Sequence, residues 1–350
     1  MKILVIGPSW IGDMMMSQSL YRLLKRHYPD VKIDVMAPLW CSALLNYMPE
    51  VNQNLVMPID HKILKLGQRY QLGRALRKHN YRLALVLPNS FKSALVPFFS
   101  DIPRRIGWRG EMRYGLLNDI RILNEQAFPL MVQRYAALAY DSHMIRSAED
   151  LPKPLPYPRI RVDVQEIRKI LGSFIPSSTR SLIGLCLGAA CGLIKCWPHY
   201  HFATLAKELI YRNYQIVLFG SLKDFKSSES INNTLPKTLR RYCHNLVGQT
   251  TLEQAVKLIA ACQGIISNDS GLMHIASALD RPLVALYGPS SPEFTPPLSS
   301  QARVIRLTTG RYKIRQSINQ QQYHQSLIAI KPARVLSELE TILLLPKNTT

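Results

Sequence analysis

Four short stretches of this chain place chemically capable side chains directly after buried-strand patterns. The first is Ser267-Asn-Asp-Ser-Gly-Leu-Met-His274. An apolar strand, Gly264 to Ser267, runs into Asp269-Ser270-Gly271 and then into a helix whose apolar period is carried by Leu272, Ile275, Ala276 and Leu279. Backbone N–H groups and the positive end of a helix dipole therefore meet at one point, and such a point binds phosphate. The plainer alternative is that Asp269 or Ser270 only caps a helix. The second stretch is the strand Lys2 to Gly7, followed by Pro8-Ser9-Trp10-Ile11-Gly12-Asp13 and an apolar helix from Met14. In an open α/β sheet the loop after the first strand lies at the carboxyl edge, where ligands bind, and Gly7 and Gly12 let a ligand approach the backbone. Asp13 is then either a helix N-cap or a carboxylate placed to take a proton from a reacting hydroxyl. The spacing Gly7-x4-Gly12 is not the G-x-G-x-x-G of a dinucleotide fold, which weighs against a dehydrogenase.

The third stretch is the Gly-rich loop Leu187 to Pro198, again after a buried-strand run. Lys195 within it, just before a helix opened by Trp197-Pro198, is placed to neutralise a leaving diphosphate, although a lone loop lysine is more often only solvated. In the fourth, Phe219-Gly-Ser221 leads to Asp224. That is a position where a doubly wound nucleotide domain offers a carboxylate to a ribose hydroxyl, or merely carries a surface acid.

These loops need a scaffold of alternating strands and helices. Strand patterns occur at Lys2 to Gly7, Ile33 to Ala37 and Leu83 to Pro88, with helical patterns near Met14 to Tyr28, Leu66 to His79 and Phe91 to Phe99. This is the βαβ signature of a parallel sheet. The prolines of Pro152-Lys-Pro-Leu-Pro-Tyr-Pro158 force an extended crossing toward a second half. There, strands at Leu182 to Leu187, Gln215 to Gly220, Gly264 to Ser267 and Leu283 to Tyr287 repeat the pattern, with helices near Tyr200 to Arg212, Leu252 to Ala261, Leu272 to Leu279 and Pro332 to Leu345. The expected class is α/β, with one doubly wound domain over residues 1–170 and another over 171–350.

At 350 residues with 47% hydrophobic content the chain suits two domains that each bury a core. No apolar run reaches a membrane span, and Lys2 leads into a strand rather than a signal sequence, so the cytoplasm is the expected compartment. Six scattered cysteines form no C-x2-C pair, and His199-Tyr-His201 reads as a helix start, so reduced thiols and no metal are expected. The formal net charge is +21. Seven lysines and arginines and no acid lie between His61 and Arg82, interleaved with apolar residues as on an amphipathic helix, and Arg104, Arg105, Arg109 and Arg113 surround Trp108. Such faces are either solvated or suited to an acidic substrate or an anionic membrane surface. Without a nucleic-acid-binding motif or repeat, nucleic acid is not an expected partner.

The segments Met1 to Leu20, Leu87 to Phe99, Gly107 to Asn118 and Asn268 to His274 together resemble the ADP-heptose:lipopolysaccharide heptosyltransferases, glycosyltransferase family 9, and the likeness runs from Met1 to about Leu345. It implies a GT-B fold, two Rossmann-like domains facing across a cleft, with the last helix crossing back toward the first domain. The implied reaction is inverting transfer of L-glycero-D-manno-heptose from ADP-heptose to a Kdo2-lipid A core that already bears one heptose. It also implies a cytoplasmic monomer peripheral to the inner membrane, working without a cofactor. On this resemblance Asp13 is the base and Lys195 steadies the leaving diphosphate. Gly12, Asp224, Thr250, Asp269, Ser270, Gly271, Leu272 and His274 hold the donor, with Asp224 at the ribose and Thr250 near the adenine. Lys62, Lys65, Arg69, Arg109 and Arg113 are the cations expected to meet the acceptor. The central loop departs from the family pattern Pro-Gly-Ala-Glu-x-Gly-x-x-Lys-Arg-Trp-Pro at Leu187, Ala190, Cys191 and Cys196. A carboxylate and a cation are thus missing, which opens a rival reading, a degenerate nucleotide-sugar-binding protein with weak or no transfer. A nucleotide-sugar epimerase or dehydrogenase would want the missing fingerprint and a Tyr-x-x-x-Lys pair.

Overall fold

Near-continuous apolar runs such as Ile3 to Ile6 and Leu182 to Cys186 are buried along their length, as strands covered by helices on both faces must be. The computed structural model describes residues 1–60, 63–190, 192–309 and 322–344. It divides into two compact units, Met1–Pro158 and Arg159–Thr350.

In the first unit, β1 (Lys2–Ile6), β2 (Lys32–Pro38), β3 (Val51–Met57), β4 (Leu83–Val86), β5 (Arg104–Trp108) and β6 (Asp119–Arg121) form one sheet in the order β3-β2-β1-β4-β5-β6. All five pairings are parallel. In the second unit, β7 (Leu182–Cys186), β8 (Gln215–Phe219), β9 (Cys243–Asn245), β10 (Gly264–Asn268), β11 (Leu283–Tyr287) and β12 (Ala302–Arg306) run in the order β12-β11-β10-β7-β8-β9, again all parallel. Read from its other edge this is the same winding. Each unit is a doubly wound α/β domain whose strand order reverses beside its first strand, between β1 and β4 and between β7 and β10. The crevice outside the carboxyl ends of such a pair is where ligands bind.

Each unit has its own core. Leu4, Ile6, Met36, Val86 and Ile102 cluster in the first, and Ile183, Leu185, Trp197, Phe202, Leu218, Ile266 and Leu286 in the second. The division falls at Pro158 and not at 170, because helix Val164–Phe174 packs on helix Leu252–Ala261 and so belongs with the second sheet. Helix Pro332–Leu344, expected to cross back, buries Val335, Leu336, Leu339 and Ile342 in the second unit's core.

Candidate active site

In the first unit the loops after β1 and β4 enclose a cavity of about 400 Å³. Asp13 lines it, together with Gly7, Ser9, Trp10, Asn89, Ser93, Trp108 and Tyr135. Helix Ile11–His27 begins with Trp10 as its N-cap, so Gly12 and Asp13 fall in its first turn. Asp13 is therefore not the N-cap. Its carboxylate sits where the helix dipole favours an anion. Burial, and next the charge of Asp13, hold the Tyr135 phenol well above its usual range, and that phenol hydrogen-bonds Asp13. Tyr135 thus stays a donor and aims the carboxylate.

Among the described residues three cations reach this cavity, namely Arg69, Lys92 and Arg134. Only Arg69 was expected from the sequence. Lys92 sits in the quoted segment after β4, while Arg134 lies on helix Met131–Ala137, whose short pattern gave no signal. The expected basic helix is shorter and differently faced. It spans Leu66–Leu76, with Lys65 as an exposed N-cap at φ 41°. Arg69 is turned inward and buried, donating to Leu64 O at 2.6 Å and to Ile63 O and Lys92 O at 3.2 Å each. Arg77 donates to Phe99 O and pairs with Asp101. Seven cations on one solvated face is thus corrected to five exposed ones, Lys65, Arg74, Arg77, Lys78 and Arg82, among the described residues. Lys62 lies outside them.

The second basic cluster also divides. Arg109 is exposed, whereas Arg113 is buried behind the cavity wall. It donates to Pro88 O at 2.7 Å, Ser93 Oγ at 3.2 Å, Asn89 Oδ1 at 3.4 Å and Trp108 O. Burial pushes its guanidinium down to about 10. Arg113 shapes the wall and does not line the cavity. Arg104 is likewise committed, bridging Asp119 at 2.7 Å and Asp141 at 2.6 Å.

In the second unit the switch point gathers Lys195, Asp269 and His274. Lys195 Nζ lies 3.0 Å from Asp269 Oδ2, at side-chain exposures of 20% and 9%. Asp269 follows β10, with its N–H bonded to Leu286 O. Ser270 is the N-cap of helix Gly271–Ala278 but makes no side-chain capping bond. Its hydroxyl instead lies 3.3 Å from Ser267 Oγ. The first-turn N–H groups at Gly271 and Leu272 are therefore not claimed by their cap, as an anion site requires. Burial pushes the His274 imidazole down to about 4, with Asp269 opposing and Lys195 reinforcing, so it is neutral around pH 7.

Asn268, quoted in the motif but given no role, locks this arrangement. Fully buried, it donates to Leu187 O at 2.6 Å and accepts from Trp197 N at 2.8 Å. Both ends of the central loop are thereby held to β10, which positions Lys195. Cys196 is buried, with Sγ 3.5 Å from Gly192 O, while Ala190 is exposed and Cys191 lies outside the described residues. The loop's altered positions are thus not equivalent, since one is packed and one faces solvent.

Asp224 lies between the ends of β7 and β8. Its Oδ2 accepts from Ser221 N at 2.8 Å and Ser221 Oγ at 2.9 Å, so it does close a capping turn. It also lies against Gly188, where an added Cβ would come 2.3 Å from that oxygen. Thr250 sits in the turn after β9, which Gly248 N ties to Gly220 O at 3.0 Å beside the end of β8. Asp224, Thr250, Lys195, Asp269 and His274 thus share the carboxyl side of one sheet.

Residues 69–324 match the model of glycosyltransferase family 9 (heptosyltransferase). The chain is 61% identical to lipopolysaccharide heptosyltransferase 2 of Salmonella typhimurium over 98% of its own length and 99% of the relative's. It is 60% identical to the protein of the same name from Escherichia coli K12, at the same coverage. The solved structure of E. coli ADP-heptose lps heptosyltransferase II superposes with a TM-score of 0.91 and 58% identity, over 98% of this chain and 99% of that one. The fold is GT-B, and the chain belongs to glycosyltransferase family 9, the heptosyltransferases.

Proposed function

We propose that the protein transfers L-glycero-D-manno-heptose from ADP-heptose to the heptose already present on a Kdo2-lipid A core, in lipopolysaccharide inner-core synthesis. The observation that carries this is the second unit's switch point, where Lys195, Asp269 and an uncapped helix start converge. The names of the relatives point to ADP-heptose and lipopolysaccharide. Asp13 accepts the proton of the acceptor hydroxyl as that oxygen attacks the anomeric carbon from the face opposite ADP. One displacement inverts the centre. A positioned general base contributes roughly 10²- to 10⁴-fold. The diphosphate gains charge as its bond breaks, and Lys195, the N–H groups of Ser270, Gly271 and Leu272 and the helix dipole stabilise it. Neutral His274 donates or accepts one hydrogen bond at the donor without adding charge.

The acceptor is assigned to the cavity beside Asp13, where Arg69, Lys92 and Arg134 supply positive charge suited to an acidic, phosphorylated core. The lipid anchor of that acceptor brings the chain, as a monomer, to the cytoplasmic face of the inner membrane. No helix among the described residues is long and apolar enough to cross a membrane. The degenerate reading has no support, because the altered loop still delivers Lys195 to Asp269 and is clamped by Asn268 at both ends. Incubation with ADP-heptose and heptosyl-Kdo2-lipid A, followed by mass spectrometry, tests the proposal. One added heptose with stoichiometric ADP supports it, and an unchanged acceptor mass overturns it.

A further inference from the structure

The carboxyl side of the first sheet turns apolar side chains outward. Ile63, Leu64, Leu66, Phe91, Met112 and Tyr114 are exposed, Met112 at 80% and Tyr114 at 67%. They stand on the connections that follow β3, β4 and β5. These connections are laced to one another. Arg69 joins Ile63 O and Leu64 O to Lys92 O. Phe91 N donates to Glu111 Oε2 at 2.7 Å, and Glu111 N to Asn89 O at 3.0 Å. Arg113 ties Pro88 and Asn89 to Trp108 O. Backbone held this way cannot roll its apolar side chains inward, so they stay in water unless something covers them. Among them stand the exposed cations Lys65 and Arg109. The acids on these connections are Asp60, Asp101 and Glu111; Asp101 is paired with Arg77, and the Glu111 carboxylate is already turned onto Phe91 N–H.

We propose that this rim seats the protein on a bilayer surface bearing anionic headgroups. Its apolar side chains enter the headgroup boundary, while Lys65 and Arg109 meet lipid phosphates. Aromatic and aliphatic side chains interleaved with cations match such a surface, and the rim is continuous with the cavity. Asn89, Ser90, Lys92 and Ser93 line that cavity from the connection after β4, and Trp108 from the end of β5. The inference rests on the acceptor reading above, since a lipid-anchored sugar entering the cavity leaves its acyl chains in the layer that the rim touches.

The test is co-sedimentation of the full chain with phosphatidylcholine vesicles prepared with and without phosphatidylglycerol. It compares wild type with the triple variant Leu64→Ser, Met112→Ser, Tyr114→Ser, whose thermal unfolding is measured alongside. Wild type binds the anionic vesicles, less so as salt rises, and the variant loses at least ~10-fold in partition. Lys65→Gln with Arg109→Gln removes the preference for anionic over neutral vesicles. For the triple variant, KM rises for acceptor embedded in vesicles and stays level for a deacylated acceptor and for ADP-heptose. Equal partition of variant and wild type overturns the rim. So does a concentration-dependent dimer that the triple variant abolishes, which would give this face to a second copy. Loss of turnover on the deacylated acceptor would place these side chains in the cavity instead. Vesicle binding that the triple variant loses, in a protein that transfers no heptose, would sustain the rim and sink the acceptor reading.

Discussion

The ion pair between Lys195 and Asp269 has a double character that kinetics can separate. In the free protein it is a 3.0 Å contact with little solvent access, and each charge compensates the other. In the proposed mechanism the lysine turns to the diphosphate when donor binds. Lys195→Ala therefore costs on the order of 2.7–4 kcal/mol of transition-state stabilisation if it acts as a preorganised donor to developing charge, read from kcat/KM. It also lowers stability, because a nearly buried carboxylate loses its partner. A variant that melts earlier but turns over normally would confine Lys195 to structure. Asp13→Asn separates differently. It leaves ADP-heptose affinity within a few-fold while slowing transfer by at least ~10²-fold, since only the proton acceptor is removed. Near-normal turnover would end its assignment as base. His274 makes a pH prediction. Its folded value is depressed to about 4 by burial first, below an unfolded value near 6.5. The unfolded chain then binds the extra proton, so the stability held above pH 6.5 is lost as pH falls toward 4. Between pH 7.5 and 5 the loss is about 2 kcal/mol. Denaturant unfolding of His274→Gln should show a smaller acid penalty by that amount, and an equal penalty would remove His274 as its source.

At the level of loops and helices, the arginines show why charge in a sequence does not announce its task. Arg109 and Arg113 are four residues apart in one motif, and both look like cations for an acidic acceptor. The fold exposes the first and buries the second against four acceptors. Arg113→Ala should then cost several kcal/mol, since each buried acceptor left unmade costs ~1–3 kcal/mol, whereas Arg109→Ala should stay within ~0.5 kcal/mol. Matched melting temperatures would refute the division of labour. Strands β1, β2, β4, β7, β8, β10 and β11 and the loops they deliver were legible, because a parallel central strand reads as a near-continuous apolar run. Strands β3, β5, β6, β9 and β12 were not. β3 reads Val-Asn-Gln-Asn-Leu-Val-Met with polar residues exposed, and β5 opens on Arg104-Arg105, so their pairing comes from neighbours rather than from their own pattern. Tyr135 and Arg134 escaped for a related reason. Their helix, Met131–Ala137, has seven residues, too few to show a period, and they gain meaning only from what they face.

For the whole chain, composition carried an amount without a place. A net charge of +21 says that an anion is welcome, while the structure spends Arg69, Arg104 and Arg113 on carbonyls and carboxylates and leaves others at the surface. The duplication of doubly wound units, in contrast, was readable from the repeated alternation of strands and helices, whereas the boundary expected at residue 170 falls beyond the division after Pro158, at the end of the proline run. Among the described residues every strand pairing lies within one unit, as do the two core clusters named above, and each unit exceeds the size at which a single core becomes self-sufficient. Residues 159–350 expressed alone should therefore melt cooperatively and bind ADP within ~10-fold of the full chain's Kd, since Lys195, Asp224, Asp269 and the start of helix Gly271–Ala278 all belong to that piece. Residues 1–158 should fold and leave ADP unbound, because the helix start that opens into their cavity already carries the Asp13 carboxylate, which opposes a second anion. Calorimetric titration of the two pieces decides this. An unfolded 159–350, or ADP heat from 1–158 alone, would mean that the nucleotide site is not carried by the second unit.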